Sequence, residues 1–458
     1  MKMAVIGAGG ARSPLLARSI TQRATKIGLN EVVFMDNNLE KLRAYGAISK
    51  HIAGIADSGV KFTTTDDINE AVRNADFIIT TIRVGAEDSR VIDERIALRK
   101  GVLGQETTGA GGFAMAMRSI PALMETMKVI EEEASPDAIV FNFTNPSGLV
   151  TQALRDAGYS NVFGICDGPS EFIKELERLV DAAPGELTTE CFGLNHLSWF
   201  RNIRFRGREI TQELIGDPKL YKHTEMRFFD PELVRQLGVL PNGYLYYYYH
   251  REQAIANIMK AGKTRGETLK EINGMMSREL EEIDADSDFT RAVEVFLKYF
   301  IMRETSYMTI ESGGTKSDKK EMDIETFVNG VDDGGYAGVA LRFIESVTSG
   351  KNDEMVLLLP NKGSINGLRD DDVVEVTCRI GKNGATPVKI GDVDPILMNP
   401  ISQVKLYERL SVEAIMERSV EKGRFALMAH PLVGSYSLAK ELLGDYLAAH
   451  KDYVGEWV

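Results

Sequence analysis

The sequence predicts an α/β protein. A doubly wound parallel sheet is expected over residues 1–195, followed by a mixed, largely helical α+β domain over residues 196–458. Three observations carry this. Short apolar runs alternate with helical patterns up to residue 165, which specifies parallel strands joined by helical crossovers. A glycine turn, Gly7-Ala8-Gly9-Gly10-Ala11-Arg12, separates the first strand from the first helix. Beyond Leu194 the pattern changes to hairpin-like alternation and then to long amphipathic stretches.

Residues 3–6 read as a buried strand, and a helix is predicted from about Ser13. Residues 31–35 form a second apolar strand ending at Asp36, with a helical pattern continuing to Ala56. Residues 60–64 and 76–82 are further short strands, with a helical segment at 68–73 between them. Residues 138–143 and 161–165 continue the alternation, and the crossovers should be right-handed. In the second half, residues 197–210 alternate around Gly207 like a hairpin, and residues 267–283 and 288–303 are helical. Residues 373–380 and 386–390, split by Gly381-Lys-Asn-Gly384, read as another hairpin, and 402–443 returns to long helices.

At 458 residues the chain exceeds what one hydrophobic core usually serves, so two closely packed domains are expected. A net charge of −13 argues against nucleic acid or an anionic membrane as partner. A phosphorylated ligand would need a local basic site. Three cysteines, Cys166, Cys191 and Cys378, cannot make a disulfide framework. The N-terminus runs directly into a strand, without the pattern of a signal peptide, and no apolar run has the length of a membrane span. These features predict a cytoplasmic protein.

Cys166 lies in Gly164-Ile-Cys-Asp-Gly-Pro169 and His196 in Gly193-Leu-Asn-His-Leu-Ser198, each at the end of an apolar, strand-like run. A lone cysteine after a strand is more often an inert buried thiol, and a lone histidine more often a hydrogen-bonded structural residue. Together, a thiolate and an imidazole can hold Mn, Fe, Co, Ni or Zn and leave coordination positions open for substrate. The glycine turn adds a second site. It stands where a Rossmann-like fingerprint belongs: Gly7 permits the tight turn and Gly9 lets backbone approach a pyrophosphate. Arg12 replaces the third glycine, and Asp36 at the end of the second strand suits the two ribose hydroxyls of NAD better than a 2′-phosphate.

The motifs together resemble glycoside hydrolase family 4, the NAD- and divalent-metal-dependent glycosidases, in its 6-phosphoglucosidase branch. The resemblance runs through Arg83-Val-Gly85, Gly104-Gln-Glu-Thr-Thr-Gly-Ala-Gly-Gly112, Asn145-Pro-Ser-Gly148, the Cys166 and His196 segments, Pro241-Asn-Gly-Tyr-Leu-Tyr-Tyr-Tyr248, Asn361-Lys-Gly-Ser-Ile365 and Ala429-His-Pro431. It implies NAD held by Gly7, Gly9, Gly10 and Asp36, and a divalent metal, Mn²⁺, held by Cys166 and His196. It implies cleavage by oxidation at sugar C3, deprotonation at C2, elimination, water addition and re-reduction. Tyr244 occupies the position of the base, Asp167 could protonate the leaving oxygen, and Asn145 matches a sugar-contacting asparagine. Arg90 and Arg265 match residues that meet a 6-phosphate, a task suited to guanidinium. Gly9-Gly10 departs from the branch, whose members usually carry Gly-Ser there; Arg12 and Ser13 are the candidate substitutes.

Most matching segments resemble 6-phospho-β-glucosidases, whereas Asp167 resembles the α-acting members. A 6-phospho-α-glucosidase, or another glycosidase of the family, therefore stays open. The N-terminal half alone would also fit an NAD-dependent sugar or hydroxyacid dehydrogenase, or a non-enzymatic NAD-sensing protein. The long C-terminal helices could supply the interface of a homo-oligomer, a dimer or tetramer.

Overall fold

The structure, a computed structural model, describes residues 1–315, 322–330 and 336–458. Six strands alternate with helices in the first half: β1 (Lys2–Ile6), β2 (Glu31–Met35), β3 (Lys61–Thr65), β4 (Phe77–Thr80), β5 (Ile139–Asn142) and β6 (Val162–Gly164). All pair in parallel, in the spatial order 3-2-1-4-5-6 of dinucleotide-binding folds. Every residue of β4 is buried, which requires cover on both faces and explains why Phe-Ile-Ile runs unbroken. The first helix, Ser13–Ile27, carries Pro14 in its first turn and ends at Gly28 in the left-handed conformation.

Four strands follow in a smaller sheet: β7 (Leu187–Leu194), β8 (Leu197–Phe205), β9 (Arg208–Glu209) and β10 (Leu240–Pro241). β7 and β8 form a tight antiparallel hairpin whose turn is Asn195-His196. The hairpin expected around Gly207 is present as β8 and β9, but β9 is only two residues long.

The chain then returns to the first sheet. β11 (Asp353–Pro360), β12 (Val373–Gly381) and β13 (Gly384–Pro387) add antiparallel beyond β6, giving nine strands in all. The second strand of that hairpin was expected at 386–390. It lies at Gly384–Pro387 because Gly381 pairs directly with Gly384. Strands from both sides of residue 195 thus share one sheet, and residue 195 itself is a hairpin turn. The C-terminal helices Arg265–Glu281, Phe289–Thr305, Pro395–Glu417, Val420–Ala429 and Tyr436–Ala449 surround this frame. Among the described residues no helix is long and apolar enough to cross a membrane.

Candidate active site

The glycine turn forms as the sequence predicts. Gly7 has φ +93°, and a Cβ there would lie 2.7 Å from the Thr81 carbonyl carbon, so no side chain fits. The Gly9 amide donates to Asp36 Oδ2 at 2.7 Å, and the Asn38 amide donates to Oδ1 at 2.8 Å. The acid that ends β2 is therefore fixed against the turn. Gly9, Gly10, Lys41, Tyr45, Glu87 and Asn273 are among the residues lining a cleft of about 730 Å³ beside this turn. Arg12 begins the first helix and extends across the site: its guanidinium lies 3.8 Å from Asp167 and 3.9 Å from Glu304.

Cys166 and His196 meet. The Cys166 Sγ lies 3.7 Å from His196 Nε2, and both residues are buried. Cys166 leaves β6 as the N-cap residue of the helix Asp167–Leu179, which makes Asp167 the first helical residue. His196 occupies the β7–β8 turn with φ 62°, a left-handed conformation that few side chains adopt freely. Burial pushes its imidazole down to about 3, so the ring is neutral and a nitrogen lone pair is available. Burial, followed by the charges of Glu375 and Asp167, pushes the Cys166 thiol up.

This pair fits a divalent metal. A tetrahedral ion with ordinary metal–sulfur and metal–nitrogen lengths separates such donors by about 3.6 Å. His196 Nδ1 is buried without a partner among the described residues, which leaves Nε2 facing the sulfur when Nδ1 carries the proton. No third His, Cys, Asp or Glu completes a cluster among the described residues. Two protein donors leave coordination positions for a substrate.

Tyr244 lies over the same pair. Its ring stacks on His196 with centroids 3.7 Å apart and planes 16° from parallel. Asn242 fixes the short 3₁₀ turn Gly243–Leu245 by accepting from the Tyr244 amide at 3.0 Å. Burial raises the Tyr244 phenol, with Cys166 and Asp167 adding to the rise, while the neighbouring Tyr307 favours its ionised form. A cation on the thiol–imidazole pair would act against the first three. Tyr246 and Tyr247 are buried packing residues, Tyr249 accepts from the Trp199 indole at 3.2 Å, and Tyr248 hydrogen-bonds Thr108 at 2.6 Å.

The two arginines expected at a phosphate sit in an ionic cluster. Arg90 Nε donates to Glu94 at 2.8 Å and Nη1 to Glu106 at 2.8 Å, while Arg83 also pairs with Glu106. Burial pushes the Glu106 carboxyl up, but Arg83 and Arg90 outweigh it and hold the group down to about 2. Arg265 donates to Ser306 and to the Arg303 carbonyl, the latter at 2.8 Å. Its charge also bears on Glu106. Asn145 is half-buried and joined to Pro146 by a cis peptide bond at the start of the helix Ser147–Asp156. The structure thus brings Cys166, His196, Tyr244 and Asp167 together. Arg83 and Glu106 stood only inside motifs, and Tyr307 carried no signal in the sequence.

A dinucleotide-type turn at the carboxyl end of a central strand, with a buried thiol and imidazole and a half-buried phenol nearby, defines an enzyme built to use a nucleotide and a metal together. Family models agree on the class. Residues 2–182 match the model described as family 4 glycosyl hydrolase, and residues 191–433 match its C-terminal domain. The chain belongs to family 4 of the glycosyl hydrolases. The 6-phospho-β-glucosidase of Escherichia coli K12 is 29% identical over 468 residues, covering 99% of this chain and 96% of its own. A 6-phospho-β-glucosidase structure from Thermotoga maritima with manganese, NAD⁺ and glucose-6-phosphate superposes with a TM-score of 0.80, at 27% identity and 99% coverage of each chain. A 6-phospho-α-glucosidase structure from gut microorganisms with NAD and glucose-6-phosphate gives 0.83, at 27% identity, over 100% of this chain and 99% of the other.

Proposed function

We propose that this chain is a 6-phosphoglucosidase that works with bound NAD and a divalent metal, Mn²⁺ by likeness to the Thermotoga enzyme. The observation that carries this is the contact of Cys166 with His196 at 3.7 Å beneath the stacked Tyr244 ring. Gly7, Gly9, Gly10 and Asp36 would hold the nucleotide, and Cys166 and His196 the metal. When bound, NAD supplies reversible oxidation at the sugar's C3, and the metal supplies positive charge for the adjoining oxygens.

The chain's own residues do the rest. The Tyr244 phenolate removes the C2 proton, and the glycosidic oxygen departs by elimination. Asp167, the residue after Cys166, gives that oxygen a proton. Burial of Cys166 and His196 beneath the half-buried Tyr244 limits the access of bulk water to the reacting carbons. Asn145 contacts the sugar, and Arg90 and Arg265 receive the 6-phosphate.

The division of labour runs along the chain. Residues 1–195 carry the nucleotide and Cys166; residues 196–458 complete the metal pair, supply the base and form a homo-oligomer interface. The substrate is a phosphorylated glycoside met in the cytoplasm, with β linkage favoured by the larger number of matching segments.

A panel of α- and β-nitrophenyl glucosides, with and without 6-phosphate, tests this in the presence of NAD, Mn²⁺ and thiol. Redox-neutral cleavage of a phosphorylated glucoside is expected. Net NADH release from a hydroxyacid, with no glycoside cleaved, would make the chain a dehydrogenase instead. Turnover of α-linked substrates alone would reverse the anomeric assignment and make Asp167 the leading acid.

A further inference from the structure

β12 turns three alternate residues, Val373, Glu375 and Thr377, to one face, and Thr377 Oγ1 accepts from the Cys191 amide of β7 at 2.9 Å. That face therefore packs on the β7–β8 hairpin. Glu375, between the other two, is a carboxylate with 0% exposure. Its Oε1 accepts from Asn195 Nδ2 at 3.0 Å and its Oε2 from Ser198 Oγ at 2.7 Å. Asn195 precedes His196 in the hairpin turn, and Ser198 is the second residue of β8 beyond it. Asn195 is held from the far side as well, where its Oδ1 accepts from the Gly148 amide at 3.4 Å.

The second arm continues. Ser198 Oγ accepts from Asn242 Nδ2 at 3.4 Å, and the Ser198 carbonyl accepts from the Asn242 amide at 2.9 Å. Asn242 Oδ1 in turn accepts from the Tyr244 amide at 3.0 Å. One buried carboxylate thus braces both the turn that presents His196 and the turn that presents Tyr244. The two rings it aligns are the pair stacked at 3.7 Å.

We propose that Glu375 is a positioning residue that sets the metal-ligating His196 against the base Tyr244; this rests on the function proposed above. Both arms arrive as donors, so the position needs an acceptor at each of two oxygens, which a carboxylate supplies and an amide does not. Glutamine at 375 would offer one donor. Facing Asn195, it forces that amide to flip and lose the Gly148 contact. Facing Ser198, it competes with Asn242 for the hydroxyl oxygen. The burial is costly on its own terms: it pushes the carboxyl up to about 7, and the neighbouring charge of Glu408 adds to the rise. A carboxylate kept there, one strand behind a pair suited to a divalent cation, is accounted for by its two braces.

The test uses the NAD-loaded full chain, Mn²⁺ titration followed by electron paramagnetic resonance, and steady-state kinetics on a nitrophenyl 6-phosphoglucoside. E375Q should weaken Mn²⁺ binding by about 10–100-fold, as loss of a group that orients a ligand does, and lower kcat with NAD affinity unchanged. S198A removes the side-chain link from Glu375 to Asn242 and leaves the Ser198 carbonyl bond and the Asn195 arm in place, so kcat should fall while Mn²⁺ affinity holds. N195A cuts the other arm and should weaken Mn²⁺. Should E375Q fail to fold, N195A and S198A carry the test: the split supports the inference, and wild-type values in both overturn it. A folded E375Q with wild-type Mn²⁺ affinity and kcat overturns this inference alone. A wild-type chain that binds no Mn²⁺ overturns the proposed function itself.

Discussion

The His196 imidazole and the Tyr244 phenol lie face to face, 3.7 Å between centroids and 16° from parallel, with Cys166 at the imidazole's Nε2. A base stacked on a metal ligand feels any charge that ligand holds. Tyr244→Phe keeps the stacked ring and removes only the oxygen. It should lower kcat by about 10²–10⁴-fold, the range for loss of a general base, with little change in KM or thermal stability. Wild-type turnover in D₂O should place deuterium at C2 of the product. Product without deuterium at C2 would rule out elimination.

Cys166→Ser exchanges a soft donor for a hard hydroxyl at the same place. Turnover should be abolished, Mn²⁺ binding lost and NAD binding retained, because the glycine turn is formed by other strands. Oxidation of the wild-type thiol should have the same effect and be reversed by reductant. Full activity after dialysis against EDTA would exclude the metal.

His430 offers a pH test of stability away from the metal pair. Its imidazole is buried, accepts from the Leu432 amide at 3.1 Å and is pushed from 6.5 down to about 3. The unfolded chain binds a proton near pH 6.5 that the folded chain refuses until about pH 3. This contribution to stability is therefore present above pH 6.5 and lost as pH falls towards 3. Between pH 6.5 and 5 the wild type should lose about 1.6 kcal/mol more than His430→Gln in urea unfolding. Parallel curves would show that folded His430 already carries the proton.

Arg265→Ala removes a guanidinium that stands among Arg90, Glu106 and Glu311. KM should rise for a 6-phosphorylated glucoside and stay level for its unphosphorylated counterpart. Equal losses on both substrates would assign Arg265 a structural role through Ser306 and Arg303.

Local signals determined much of this protein. Apolar runs ending in glycine, acid or cysteine located β1, β2 and β6 and the turn at Gly7, because a strand buried on both faces must be apolar throughout; β3, Lys-Phe-Thr-Thr-Thr at the sheet's edge, followed only from the alternation with helices. The same logic placed Cys166 and His196 at strand ends, and the Pro-Asn-Gly segment fixed Tyr244. What the sequence by itself left undecided is which pieces meet. Residues 373–380 read as a hairpin strand, yet nothing in them says that β11 will join β6, since backbone hydrogen bonds are the same for every apolar partner. Only that pairing carries Glu375 beneath the His196 turn, 180 residues from Asn195 in the chain. Arg83, Arg90 and Glu106 likewise become a cluster only when the helix Ala86–Arg99 packs beside the Gly104 segment. Periodicity reports that a residue will be buried; the choice of neighbour, and with it the chemistry, belongs to the packing of distant elements.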